Sequence, residues 1–204
     1  MPDQLPPGQY VPKRWPVLHY GRIPHFNPQK WTLRVCGATP GPVCWTWAEF
    51  GRLPCVDVIA DFHCVTKFTL LGNRWTGVST AQVLAAASPA DGVSHVMVYG
   101  EYGYNANLRL ADFAAADSLL ATHRNGDLLT AEHGHPVRLV VPHLYAWKGP
   151  KWVRAIEYLT EDRRGFWEER GYHNLADPWR EQRYSYQEDP SDGCLLYTSD
   201  AADE

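Results

Sequence analysis

With 204 residues and 45% hydrophobic content, the chain can bury one substantial core and reads as one main domain. Its net charge of −4 and pI near 6.1 argue against a general nucleic-acid binder, which would carry a basic face. No apolar stretch approaches the roughly 20 residues of a membrane span, and the opening Met-Pro-Asp-Gln-Leu-Pro-Pro-Gly has neither a secretory leader pattern nor a twin-arginine pair, so the expected location is cytoplasmic.

Nine tryptophans, 11 tyrosines and 16 prolines favour extended segments and rigid loops over long helices. Residues 1–30 are Pro-rich and aromatic without periodicity, and are expected to wrap over the domain as an extended arm. Residues 31–36 alternate like a strand, and 37–42 form a turn by composition. Thr46 and Glu49 have capping-box spacing, which predicts a short helix over 47–52 that ends before Pro54. The β-branched run 56–68 reads as a strand that delivers Cys64 to a tight, polar end. A short strand is expected at 74–78, then a helix through 81–87 capped by Thr80. Strand 95–99 leads into a loop over 100–107, and an alanine-rich helix lies within 110–120. Residues 137–141 are the clearest buried strand, stopped by Pro142, and 152–159 alternate as a half-buried one. The mixed charges of 161–170 read as a solvated helix face. These elements assign 31–186 to the domain and 187–204 to a tail of non-native sequence. Strands mixed with short helices, without a βαβ repeat, indicate α+β.

The five cysteines, Cys36, Cys44, Cys55, Cys64 and Cys194, form no paired spacing and give an odd total. Neither a disulfide framework nor a structural zinc site is expected. Cys36, Cys44 and Cys55 read as buried small hydrophobes. Cys64 differs, because a thiol at a strand end can serve as a soft metal ligand or as a nucleophile. His63 is poorly placed to activate it, since adjacent strand residues face opposite ways. Downstream, 132–153 gathers imidazole, guanidinium and ammonium groups around a buried strand, which suits a large anionic ligand. His133-Gly-His135 lacks a third spaced ligand for a metal. No Gly-x-Ser-x-Gly, P-loop or dinucleotide fingerprint occurs.

Six blocks in order carry a resemblance: Trp-Pro-Val-Leu-His-Tyr-Gly-Arg-Ile-Pro (15–24), Asp-Phe-His-Cys-Val-Thr (61–66), Gly-Tyr-Asn-Ala-Asn-Leu (103–108), His-Gly-His-Pro-Val-Arg-Leu-Val-Val-Pro (133–142), Trp-Lys-Gly-Pro-Lys-Trp-Val (147–153) and Gly-Tyr-His-Asn-Leu-Ala-Asp-Pro-Trp-Arg-Glu-Gln-Arg-Tyr (171–184). Over this length the chain resembles the molybdenum-cofactor domain of the sulfite oxidase family. The resemblance implies an α+β molybdopterin-binding fold, with a mixed β-sheet, short helices and an extended N-terminal arm. It implies a molybdenum–molybdopterin cofactor (Moco) with Cys64 as the protein's metal ligand and catalytic residue, and Tyr104 on the substrate side. Arg138, Lys151 and the backbone from Gly149 through Pro150 are implied to hold the pterin's phosphate or diphosphate. His133 corresponds to a pterin contact, His19 and Tyr20 to the arm over the cofactor, and His63 to a cofactor-binding residue beside the cysteine. Phe62 and Trp147 either line the pterin pocket or pack, and Arg109 either attracts an oxyanion or forms a salt bridge.

The chain also departs from that family. Neither the b5-type haem domain nor the C-terminal dimerisation domain of animal-type members is expected within these 204 residues, so a separate electron-transfer partner is implied. Val65-Thr66-Lys67 replaces the basic residues that handle sulfite, and Gly100 stands where some relatives have a hydroxyl. The implied activity is two-electron oxygen-atom transfer on a small S- or N-oxide or related oxyanion. A metal-free cysteine hydrolase and a catalytically incomplete cofactor-binding module are the alternatives.

Overall fold

Period-two alternation of apolar residues builds two five-stranded sheets with a shared core. The computed structural model describes residues 5–189. Its strands are β1 (Thr32–Gly37), β2 (Val43–Thr46), β3 (Val56–His63), β4 (Thr69–Ser79), β5 (His95–Tyr99), β6 (Asn105–Arg109), β7 (Leu119–Arg124), β8 (Asp127–Leu128), β9 (Arg138–Val140) and β10 (Ala155–Leu159). Three short helices interrupt them: α1 (Trp47–Phe50), α2 (Thr80–Ala86) and α3 (Leu110–Phe113). The first sheet runs β2-β1-β10-β5-β6 and is mixed, because β1 and β10 pair in parallel. The second runs β3-β4-β7-β8, with β9 also on β7, and is antiparallel.

Leu33 and Val35 of β1, Val96 and Val98 of β5 and Ile156 of β10 cluster with Val78, Leu120 and Leu139 of the second sheet. Each such buried side chain contributes about 1.5–3 kcal/mol of transfer free energy. Phe62, Trp75, Leu119 and Val140 form a second cluster, against which Trp15 of the arm packs. The arm touches the second sheet at a parallel bridge between Tyr10 and Phe68.

Several local expectations are corrected by tertiary contacts. The capping box at Thr46 and Glu49 is present, but α1 is shorter than 47–52. Ser79, not Thr80, caps α2. The Ser79 hydroxyl accepts from Gln82 N, while Thr80 is buried and donates to the Ser118 carbonyl. The strand expected at 74–78 starts at Thr69, because the Asp61 carboxylate accepts from Gly72 N and a bulge at that point absorbs the turn-like Gly72-Asn73. Only one turn of the 110–120 helix forms before β7 begins, and the 100–107 loop ends early in β6. Cys36 is half-buried, and Cys44 and Cys55 are exposed, on an edge strand and a loop. Residues 161–170 are no solvated helix face, since Glu168 is buried against Lys148. Cys194 and most of the expected tail lie outside the described residues.

One buried carboxylate ties α3 to the second sheet's connection. Arg109 Nε and Nη2 donate to the two Asp112 oxygens at 2.7 and 3.0 Å, and His143 Nε2 lies 3.0 Å from one of them. Arg109 is therefore a salt-bridge residue. Burial pushes the Asp112 pKa up, but the hydrogen bonds from His143 and Arg109 outweigh it and hold the group at about 2. A depressed carboxylate stabilises the fold above its unfolded pKa near 3.9, and that contribution is lost as pH falls through 2. Asp112→Asn is expected to cost about 1–2 kcal/mol at pH 7, discounted for the half-exposed arginine, with the gap closing toward pH 2. Urea titrations of both proteins across that range check it.

Candidate active site

Strand β3 delivers its last residues to a four-residue turn that returns into β4. Lys67 N donates to the Cys64 carbonyl at 3.0 Å, and Cys64 N donates to the Phe68 carbonyl at 2.8 Å. Alternation then separates two neighbours. The His63 ring turns to Thr69 Oγ1 at 2.9 Å, while Cys64 joins the wall of a cavity of about 340 Å³. The Thr66 hydroxyl lies 3.1 Å from Cys64 Sγ.

The arm supplies Trp15, His19 and Tyr20 to this cavity, and Phe62 lines it beside the turn. His133 stacks on Trp15, with ring centroids 3.8 Å apart and planes 3° from parallel. Arg138, the first residue of β9, is buried and donates from Nη1 to the His133 carbonyl at 3.0 Å. Its guanidinium lies 4.8 Å from the Phe62 ring centre and 5.4 Å from that of Trp15. Its Nε is buried with no hydrogen-bond partner among the described residues. Lys151 Nζ donates to the carbonyls of Leu18 at 2.6 Å and Glu132 at 2.7 Å, which ties the arm to the loop before β9. Gly149 lines the wall, and it must be glycine because a Cβ there would lie 2.3 Å from the Leu139 carbonyl. Gly100 is explained likewise, with the Lys151 carbonyl 2.4 Å from where a side chain would start. Tyr104 donates its hydroxyl to the Trp147 carbonyl at 2.6 Å, and both residues line the cavity.

Tertiary structure thus brings together Cys64, Tyr104, His19, Tyr20, Phe62, His133, Arg138, Gly149 and Lys151. His63 and Pro150 are not among the lining residues: His63 faces away by strand alternation, and the Pro150 carbonyl is engaged by Leu139 N. Sequence reasoning did not single out Trp15, Thr66, Trp167 or Tyr172, which also line it. Trp15, Thr66 and Tyr172 sit inside the matched blocks, which was the available signal. Trp167 lies in the charged stretch and carried none.

No lining residue is an aspartate or glutamate. Burial holds Arg138 down at about 10. Burial, then the nearby Arg138 charge, brings Lys151 down to about 7 and His133 to about 4. Burial pushes the Cys64 thiol up, partly offset by its hydrogen bonds with Thr66 and the charges of Arg138 and Arg183. Burial, then Glu168, keeps Tyr104 protonated. Desolvated cations facing a cavity without a carboxylate are stabilised by an anionic ligand.

A family model described as the oxidoreductase molybdopterin binding domain matches residues 20–167. The chain belongs to this family. Among its relatives is the "Uncharacterized oxidoreductase YuiH" of Bacillus subtilis (strain 168), 40% identical over 184 residues, which are 90% of this chain and 93% of that protein. The mitochondrial sulfite oxidase of Mus musculus is 30% identical over 207 residues, covering 86% of this chain but only 38% of the mouse protein. The sulfane dehydrogenase SoxCD of Paracoccus pantotrophus shares the fold, with a TM-score of 0.65 and 21% identity over 75% of this chain and 43% of the SoxCD chain. The expected α+β sulfite oxidase-like fold and the molybdopterin cofactor are therefore those of this domain. The donor set fits that cofactor: a thiol for a metal in a sulfur-rich shell, aromatic faces for a flat ring, and an unpaired buried guanidinium N–H for an anion. Among the described residues no helix is long and apolar enough to cross a membrane.

Proposed function

We propose that this domain catalyses two-electron oxygen-atom transfer on a small S- or N-oxide, or a related oxyanion, at a molybdenum ion ligated by Cys64. The observation that carries this reading is the Cys64 thiol in one cavity with Arg138 and Lys151 and no carboxylate. When bound, the molybdenum cofactor supplies a centre that exchanges two electrons and an oxygen atom. Cys64 contributes a soft thiolate donor, and the Thr66 hydroxyl beside it holds the sulfur in orientation. Arg138 and Lys151 bind the cofactor's anionic end through charge-assisted hydrogen bonds, with Gly149 letting the backbone approach. His133, neutral at physiological pH, and Phe62 flank the ring system. His19 and Tyr20, held over the cavity by the arm, exclude water.

Tyr104, Trp147, Trp167 and Tyr172 form an aromatic wall that suits an organic oxide. Two of the similar proteins are named for sulfur substrates, sulfite and sulfane, which supports a sulfur compound. Electrons pass to or from a separate carrier. The hydrolase alternative lacks a base: among the described residues no imidazole hydrogen-bonds the Cys64 thiol, and His63 is committed to Thr69.

Protein made in a molybdenum-replete host should carry about one molybdenum per chain. It should turn over members of a panel of sulfoxides, N-oxides and sulfite with an artificial redox dye. Well-folded protein that takes up neither molybdenum nor pterin would overturn the proposal.

A further inference from the structure

The turn that presents Cys64 is held from outside by both ends of the described chain. Lys67 closes it with φ of 74°, a left-handed conformation that costs a side-chain-bearing residue about 1 kcal/mol or more. Such a turn persists only where its surroundings determine it. Gln9 Nε2 donates to the Cys64 carbonyl at 3.1 Å, and Gln9 Oε1 accepts from Thr69 Oγ1 at 3.3 Å. Tyr10 N takes the Lys67 carbonyl at 2.9 Å. From the other side, Arg183 Nη1 donates to the Val65 carbonyl at 2.6 Å, one residue beyond the cysteine.

Arg183 is only 6% exposed, yet its nearest carboxylate, Glu181, is 3.8 Å away and half exposed. The guanidinium rests over the Tyr145 ring at 4.9 Å, and Nη2 reaches toward the Pro7 carbonyl at 3.5 Å. With only this long ion pair to a half-exposed carboxylate, the buried guanidinium relies on its hydrogen bonds for compensation. The short one goes to the Cys64 turn. Arg183 is not among the residues that line the cavity, so it acts through the turn and not on a ligand directly.

We infer that Arg183 is a positioning residue for the proposed metal ligand, locking the Val65 carbonyl and thereby the direction in which Cys64 presents its sulfur, with Gln9 as the opposing clamp. The inference rests on the reading of Cys64 as the ligand, but its first test does not require metal. In metal-free full-length protein, hydrogen–deuterium exchange is followed by mass spectrometry for wild type, Arg183→Met and Arg183→Lys. Arg183→Met should speed exchange in the peptide spanning 62–70 about tenfold while β9 and β10 keep wild-type protection. Arg183→Lys, which retains a donor, should fall between the two. In molybdenum-loaded protein, Arg183→Met should shift or broaden the thiolate-to-molybdenum absorption at unchanged metal content.

Exchange in 62–70 equal to wild type, or acceleration spread evenly over all strands, would overturn the inference. Even acceleration would mark Arg183 as a contributor to global stability alone. Failure of the wild type to load molybdenum would overturn the proposed function instead, and the exchange comparison would still decide whether Arg183 locks the turn.

Discussion

Replacing Cys64 with serine is expected to leave the protein folded and to lower turnover by at least about a thousandfold, about 4 kcal/mol in the barrier. The side chain is buried, and its neighbour Thr66 Oγ1, 3.1 Å from the sulfur, can bond a serine hydroxyl equally well. Thermal stability should therefore change by no more than about 1 kcal/mol. The chemistry changes far more. A hydroxyl is a hard, weakly acidic donor, whereas a thiol bound to a metal is held deprotonated and matches a sulfur-rich shell. Pterin uptake should persist, because Arg138, Lys151 and the aromatic walls are untouched. The thiolate-to-molybdenum absorption should vanish. Cys44→Ser, on the exposed face of β2, is the control and should behave as wild type. Turnover by the Cys64 variant within a few-fold of wild type would remove Cys64 from the metal.

Truncating Glu168 is the change expected to damage the fold most. Its Oε1 accepts from Lys148 Nζ at 2.7 Å and from Trp147 Nε1 at 2.9 Å, and both charged side chains are almost wholly buried. Lys148 Nζ also donates to the Asn107 carbonyl and Oδ1, at 2.9 and 2.8 Å. Glu168→Ala removes the carboxylate in direct contact with that buried ammonium, which costs about 3–5 kcal/mol. For a domain of this size the melting temperature should fall by roughly 10 °C. The indole of Trp147 loses its acceptor at the same time, so the aromatic wall of the cavity should loosen and substrate KM should rise. Removing both charges in Lys148→Met/Glu168→Leu should recover part of the stability, because no buried charge is then left unpaired, although the Trp147 indole N–H and the Asn107 acceptors still lose these partners. Calorimetry on the single and double variants tests this. A Glu168→Ala loss below about 1 kcal/mol would show that water or relaxation already compensates the lysine.

The legible part of the site was its covalent order. Cys64 stood out because a β-branched strand delivers it, and Arg138 and Lys151 through the matched blocks that contain them. The matched blocks supplied the cofactor, which alternation and spacing alone did not. His63 shows how far local rules reach: period-two alternation predicted that it faces away from Cys64, and the Thr69 contact is where it goes. The same blocks implied that it and Pro150 stand beside the cofactor, and neither is among the residues that line the cavity.

Misreadings arose where a side chain's partner is remote. Glu168 sits in a stretch whose mixed charges look solvated, yet its partner Lys148 is twenty residues away, next to Trp147 of the cavity wall. Ser79 outcompetes Thr80 as a helix cap because Thr80 is drawn into the core by Ser118. Gly72 and Asn73 look like a turn and are accommodated in β4 by the Asp61 carboxylate. Each outcome is a contest between a local preference of about 1 kcal/mol and a tertiary contact of similar or larger size. Composition, alternation and ordered motifs determined the fold class, the family and the thiol. Only tertiary structure decided the charge balance of the cavity and the clamps on Cys64, because Gln9 and Arg183 lie 55 and 119 residues from it and meet it only when both ends of the described chain pack against the Cys64 turn.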